Sequence, residues 1–188
     1  TYGSAKNAYL VEVIELGDMP GVELKSLVIN DELVDFDPQG TAHPDFGVEL
    51  PFTNESGVRL AWAKFYDGTQ TTADPYLVDK FSAETDYAWT TDHIGTGTPY
   101  VILTYLFNRK QFKGRPRSAF VHSGIPLYDP RKDTTAGGSG AHRWADQTTW
   151  EPSDNSGVQD YNLLRGIPLP TGEVYGGRIT EPNVPLSN

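Results

Sequence analysis

Apolar residues recur at alternate positions through several short stretches of the chain, and glycines and prolines separate those stretches at close intervals. A period of two marks strands, and the stretches are rich in Val, Ile, Thr, Tyr and Phe, which suit a pleated surface. The clearest predicted strands run from Tyr9 to Glu15, Leu24 to Ile29, Val58 to Tyr66 and Tyr100 to Phe107. In the last, both alternating sets are apolar: Val101, Leu103, Tyr105 and Phe107 on one side, Tyr100, Ile102 and Leu106 on the other. That predicts a central strand buried on both faces. Asn30-Asp31-Glu32 ahead of Leu33-Val34 predicts a hairpin tip, although the Asn-Gly pair that such turns prefer is missing.

Two short helices are predicted. Asp74 and Pro75 form an N-cap and first-position pair before Tyr76, Leu77, Val78 and Phe81, whose spacing gathers apolar groups on one side. Ser153 or Asp154 is the expected cap of a second helix through Val158, Tyr161, Leu164 and Arg165, ending at Gly166. Beyond Gly166 the prolines and glycines predict an extended C-terminal arm over 167–188, leading to a following domain, with residues 1–166 as one β-rich domain. The expected fold is therefore mainly β, of the α+β kind, with antiparallel sheets forming a sandwich or a partly open barrel and two short helices. No internal repeat or low-complexity tract interrupts it.

Composition narrows the function. The chain has 188 residues, enough for a sizeable core, and four tryptophans, ten tyrosines and eight phenylalanines to fill it. Fifteen basic against 25 acidic residues give a net charge of −10, which disfavours nucleic-acid binding because a duplex needs clustered cations to displace its counterions. Arg109, Lys110, Lys113, Arg115 and Arg117 form the one basic cluster, read as a solvated turn between strands. There is no cysteine, so disulfides and thiolate chemistry are excluded. No apolar run is long enough to span a membrane, and no insertion is expected. The chain opens Thr1-Tyr2 and reads as an excised fragment rather than a processed product.

The stretch from Gly124 to Trp144 concentrates residues that elsewhere do chemistry, and spacing decides which chemistry fits. Gly137-Gly138-Ser139-Gly140-Ala141-His142 lacks the lysine of a phosphate-binding loop and the third glycine of a dinucleotide fingerprint; Gly95-Thr96-Gly97 fails the second test as well. It approaches a nucleophile elbow around Ser139, with His142 as base, but Asp129-Pro130-Arg131-Lys132-Asp133 is no buried strand. Asp35-Phe36-Asp37-Pro38-Gln39-Gly40 begins like a calcium loop, yet its twelfth position falls on Phe46, so a polar turn is the better reading. His43, His93, His122 and His142 lack the spacing of a helical zinc pair. Asn54-Glu55-Ser56 matches a glycosylation sequon and is read as chance. No catalytic residue, metal ligand or cofactor is expected. Trp62, Trp89, Trp144 and Trp150 leave a carbohydrate-binding platform open, and paired carboxylates leave a glycosidase open.

Gly124-Ile125-Pro126-Leu127-Tyr128-Asp129-Pro130-Arg131, then Trp150 with Ser153-Asp154-Asn155, then Tyr161-Asn162-Leu163-Leu164-Arg165-Gly166, resemble the tail hub proteins of tailed phages. These are the tip attachment proteins and their relatives in prophages and gene-transfer agents. "YLVEVIELGDMPGVELKSLVIND", "KFYDGTQTTADPYLV" and "WTTDHIGTGTPYVILTY" extend the resemblance over roughly residues 9 to 177. Ser156 departs from it, standing where the family pattern carries a proline after Asp-Asn, and family members are much longer. The resemblance implies a structural role without catalysis. It implies a homotrimer in the intact protein, sited at the virion tail tip, and in the host cytoplasm during assembly. The implied neighbours are the distal tail ring, the tape measure and the receptor-binding parts, around a channel through which DNA leaves. The candidate structural and interface residues are Asp129, Pro130, Arg131, Trp144, Trp150, Asp154, Asn155 and Tyr161. Pro130 is expected to end a strand, Gly137, Gly138 and Gly140 to reverse the chain, the two tryptophans to anchor it, and Arg131 to pair with a carboxylate or the capped helix. Acidity then suits a channel wall, since like charge within a Debye length of about 8 Å repels phosphates. A carbohydrate-binding β-sandwich that recognises a host surface is the alternative, and a tail-associated hydrolase stands third.

Overall fold

A computed structural model describes residues 8–112 and 114–177. Its backbone groups into two units, Thr1–His122 and Ser123–Asn188. Among the described residues the fold is mainly β, with three antiparallel sheets, two α-helices and no closed barrel.

The N-terminal unit carries β1 (Tyr9–Glu15), β2 (Leu24–Ile29), β3 (Glu32–Asp35), β4 (Ala42–His43), β5 (Gly47–Glu49), β6 (Ala61–Tyr66), helix α1 (Pro75–Phe81), β7 (Tyr100–Leu106) and β8 (Ser118–His122). One sheet runs β1-β7-β6-β5-β4, the other β3-β2-β8. The period-two signal located β1 and β2, whereas β6 begins at Ala61, after an isolated bridge between Thr53 and Arg59. β8 went unpredicted because its Ser118-Ala119-Phe120-Val121-His122 follows the basic stretch and carries little apolar signal.

β7 sits between β1 and β6, and its two apolar faces are covered differently. Val101, Leu103 and Tyr105 join Leu24, Leu27, Ile29, Val34, Ala61 and Ala63 in a core shared by both sheets. Tyr100 and Ile102 instead pack with Leu77 of α1, against Val11, Tyr66 and Trp89. Two-sided burial explains why the strand reads as a continuous apolar run.

Local chemistry fixes the connections. Ile29 pairs with Glu32 across a two-residue turn in which Asn30 and Asp31 have φ of 48° and 70°. Both residues tolerate the left-handed region, so they replace the missing glycine. Asp74 caps α1 as its sequence predicts: Oδ1 accepts from Leu77 N at 2.8 Å, while Oδ2 accepts from Lys64 Nζ at 2.6 Å and the Tyr66 hydroxyl at 2.7 Å. The carboxylate is wholly buried, and burial is tolerated because every bond it lacks from water is supplied by protein.

The C-terminal unit has much less regular structure. Three single 3-10 turns, Pro130–Lys132, Thr134–Ala136 and Gln147–Thr149, precede α2 (Ser156–Arg165), β9 (Ile167–Pro168) and β10 (Val174–Tyr175). Asn155, not Ser153 or Asp154, caps α2, its Oδ1 accepting from Val158 N at 3.1 Å. Gly166 closes the helix with φ of 92°. Val158 and Tyr161 are buried as expected, but Leu164 is exposed and Asn162 takes the buried place. Residues 167–175, expected to begin an extended arm, form a hairpin in which Val174 pairs with Pro168, and Gly177 N donates to Leu163 O at 2.6 Å. The rest of the expected arm, 178–188, lies outside the described residues.

Candidate functional site

The stretch from Leu127 to Arg165 gathers the polar and aromatic residues singled out in the sequence. Its three 3-10 turns share one device. Asp129, Asp133 and Asp146 each accept, through a carboxylate oxygen, the amide two residues ahead: Arg131 at 3.0 Å, Thr135 at 2.7 Å and Thr148 at 3.1 Å. Short side chains that satisfy nearby amides favour such turns over longer helix or strand. Pro130 follows the first of these caps, where its fixed φ suits a turn start and its missing N–H costs nothing.

Asp129 and Asp133 are buried. Asp129 is gripped by Arg131 in a two-pronged pair, Nε to Oδ1 at 2.9 Å and Nη2 to Oδ2 at 2.7 Å, which is the carboxylate expected for that arginine. The Arg131 side chain, outweighing burial, holds the Asp129 carboxyl below the usual carboxylate range. Asp133 accepts the Thr135 hydroxyl at 2.6 Å, the Tyr128 hydroxyl at 2.7 Å and Arg143 Nη1 at 3.0 Å. The Thr135 hydroxyl does most to hold its carboxyl down at about 2, against the opposing effect of burial, with Tyr128, the Thr135 amide and Arg143 adding to it. Burial, and then the bond to Asp133, push the Tyr128 hydroxyl well above its ordinary value.

His142 is buried and accepts the Asp129 amide through Nδ1 at 3.0 Å, which leaves its proton on Nε2. Its own amide donates to Lys132 O at 3.0 Å. A triad through Ser139, His142 and Asp133 therefore has its acid filled by four donors and one ring nitrogen of its base occupied by backbone. Ser139 is exposed, in a reversal shaped by glycines for two different reasons. Gly137 has φ of 88°, which a side chain would strain. At Gly138 and Gly140, a Cβ would collide with the carbonyl oxygens of Arg131 and Lys132.

Around this lies an aromatic group. Tyr128 meets Trp144 edge-on at 5.4 Å and lies 6.1 Å from Tyr161, and Trp144 lies 5.1 Å from Trp150. Trp150 Nε1 donates to Arg143 O at 2.8 Å, tying the exit of the reversal to its far side. The Arg165 guanidinium lies 3.7 Å above the Trp144 ring and donates to the Tyr161 hydroxyl at 2.8 Å. Asn162, wholly buried, gives Tyr128 a strand-like pair of bonds: Tyr128 N donates to Oδ1 at 3.0 Å and Nδ2 donates to Tyr128 O at 2.7 Å. Nδ2 also donates to Val158 O at 2.8 Å, so both its hydrogens are used.

Five sequence-selected residues, Asp129, Arg131, Trp144, Trp150 and Tyr161, thus fall in one network, with Pro130 at its first turn. Asn155 is the cap of α2, and Asp154 is an exposed residue before it. Asn162, Asp133, Arg143 and Arg165 carry as many contacts but were not selected. The signal for Asn162 was a polar residue four positions after Val158, on the side of a helix that should be apolar.

Other candidates resolve locally. Asp37 Oδ1 accepts from Gln39 N at 2.9 Å, and Gly40 N donates to Asp37 O at 2.9 Å, a turn rather than an ion loop. Among the described residues, no three His, Asp or Glu side chains are grouped to hold a metal. Three residues of the basic cluster pair with acids, Lys110 with Glu55, Arg115 with Glu12, and Arg117 with Asp31; Lys113 lies outside the described residues. No described helix is long and apolar enough to cross a membrane. Compared with models of protein families, with curated proteins and with solved structures, the chain has no match.

Proposed function

We propose that this chain is a structural component of a phage or prophage tail-tip hub, acting through shape and interfaces rather than chemistry. The observation that supports this reading most is internal saturation. In the stretch that bears the resemblance to tail hub proteins, Asp129, Asp133, Arg131, Arg143 and Asn162 hold one another or nearby backbone. Such closed polar networks fix one conformation, as an assembly part requires. In the intact protein the hub is a homotrimer at the virion tail tip, contacting the distal tail ring, tape measure and receptor-binding parts, and made in the host cytoplasm. The net charge of −10 suits a channel wall that lets DNA pass without holding it.

The carbohydrate-binding alternative has weaker support in the residues. Trp62 and Trp150 are buried, and Trp144 has the Arg165 guanidinium across one ring face. Electron microscopy of particles labelled with antibodies to this chain tests the proposal: label at the distal end of the tail is expected, and label on heads, or on no particle, contradicts it. A glycan array and a hydrolase screen should both be silent, and a reproducible glycan signal would instead favour the alternative.

A further inference from the structure

Among the described residues β1 is an edge strand, bonded to β7 on one side only. Phe107 N donates to Ala8 O and Leu16 N to Pro99 O, both at 2.8 Å, so the even-numbered residues of β1 face β7. By the alternation of an antiparallel ladder, the N–H and C=O groups of Tyr9, Val11, Val13 and Glu15 point outward. The register with β7 is unbroken over all seven residues. Among the described residues little blunts this edge: it contains no Lys, Pro or Gly, its one inward charge is the buried Glu12, and Tyr9, Leu10 and Val13 are 45%, 38% and 38% exposed. Natural edge strands of this length normally carry such guards, because an unguarded one recruits another strand.

What fits the edge is written in its own sequence. Leu10-Val11-Glu12-Val13-Ile14 reads alike in both directions around Glu12. We infer that β1 pairs antiparallel with β1 of a second copy of this chain, in a register centred on Glu12, joining two five-stranded sheets into one. In that register Val11 meets Val13 of the second copy and Tyr9 meets Glu15, and these are the pairs whose backbone groups point outward. Leu10 meets Ile14 of the second copy beside an apolar cleft of about 300 Å³, which Leu10 lines with Tyr105, Phe107, Phe112 and Arg115. The one like-charged meeting is Glu12 against Glu12. Arg115 answers it: largely exposed, among the described residues it is bonded through Nε alone, to its own Glu12, and so has further N–H groups for the Glu12 of the second copy. Two carboxylates and two guanidinium groups then alternate across the twofold axis. Such a pairing closes at two copies. It is a contact distinct from the threefold one expected of a hub, and it does not rest on that reading.

Sedimentation velocity of the full chain over a wide concentration range tests this, together with amide exchange at low and high concentration. A two-copy species is expected. The amides of Tyr9, Val11, Val13 and Glu15 should slow as concentration rises, while those of Leu10, Glu12 and Ile14 stay slow throughout. Val13→Lys should weaken the pairing about tenfold or more, because a lysine on the edge is a natural guard. Leu10→Lys serves as a second variant, and circular dichroism establishes that each variant is folded. A chain that stays monomeric at every concentration, a pair that both folded variants leave intact, or odd-numbered amides indifferent to concentration would overturn the inference.

Discussion

The two units of this chain are held together by different means. In the N-terminal unit, the β7 residues Val101, Ile102 and Leu103 are each at most 1% exposed, and cohesion comes from apolar area layered on both faces of a ladder. In the C-terminal unit, the buried residues include Asp129, Asp133, His142 and Asn162 beside Leu127, Tyr128, Trp150, Val158, Tyr161 and Ile167. Its turns make few repeating backbone bonds, so side chains supply the partners that a ladder would otherwise provide. A ladder tolerates modest changes of packing, whereas a network of single-use bonds fails at any member left unpaired. The C-terminal unit is thus the more sensitive to polar substitution, and the N-terminal unit to loss of volume.

The largest effect should come from Leu103→Ala. Removing this buried side chain opens a cavity, and urea denaturation with exchange of the β6 and β7 amides should register a loss of about 3 to 4 kcal/mol. Asn162→Ala follows, at about 2 to 3 kcal/mol read from the amides of 128–142, because it orphans the buried N–H and C=O of Tyr128. Asn162→Leu restores volume without bonds and should cost as much. If it is harmless, the contrast between the units breaks.

The third prediction concerns acid. Asp133 has an ordinary value of 3.8 and is held at about 2 in the folded chain. A carboxyl depressed on folding stabilises the fold above its ordinary value, and that contribution is lost as pH falls toward the folded value. Exchange in 128–142 should therefore quicken as pH drops from about 4 to about 2, once intrinsic rates are divided out, and Asp133→Asn should flatten that slope. The smallest effect is expected from Trp144→Ala, about 1 kcal/mol of lost stacking on Arg165 and Tyr128, measured by urea denaturation. If neither Trp144→Ala nor Trp150→Ala shifts melting, the anchoring role of the tryptophans is wrong.

How much of this was legible in the sequence follows the same contrast. Alternation over Tyr9–Glu15 and Tyr100–Leu106, the Asp74-Pro75 cap and the Asn30-Asp31 turn are local signals, and each corresponds to an element where it was expected. The C-terminal unit was legible only as a list of residue types. Asp129 and Arg131 are two positions apart and their pairing could be anticipated, but Asn162 lies 34 positions from Tyr128 and nothing local links them. The cap at Asn155 was misplaced because Ser153, Asp154 and Asn155 are all capable of capping, and local chemistry does not rank them. The short strands β4, β9 and β10, two residues each, carry no period to read.

The central claim is that the reversal after Tyr128 is held rigid by its own polar groups, and amide exchange of Tyr128, Asp129, Ser139 and His142 tests it most directly. The amides donate to Asn162 Oδ1, His142 Nδ1, Arg131 O and Lys132 O at 3.0, 3.0, 2.9 and 3.0 Å. None of the four lies in a named strand or helix, yet all should exchange as slowly as the amides of α2. Exchange at the rate of free peptide would contradict the account.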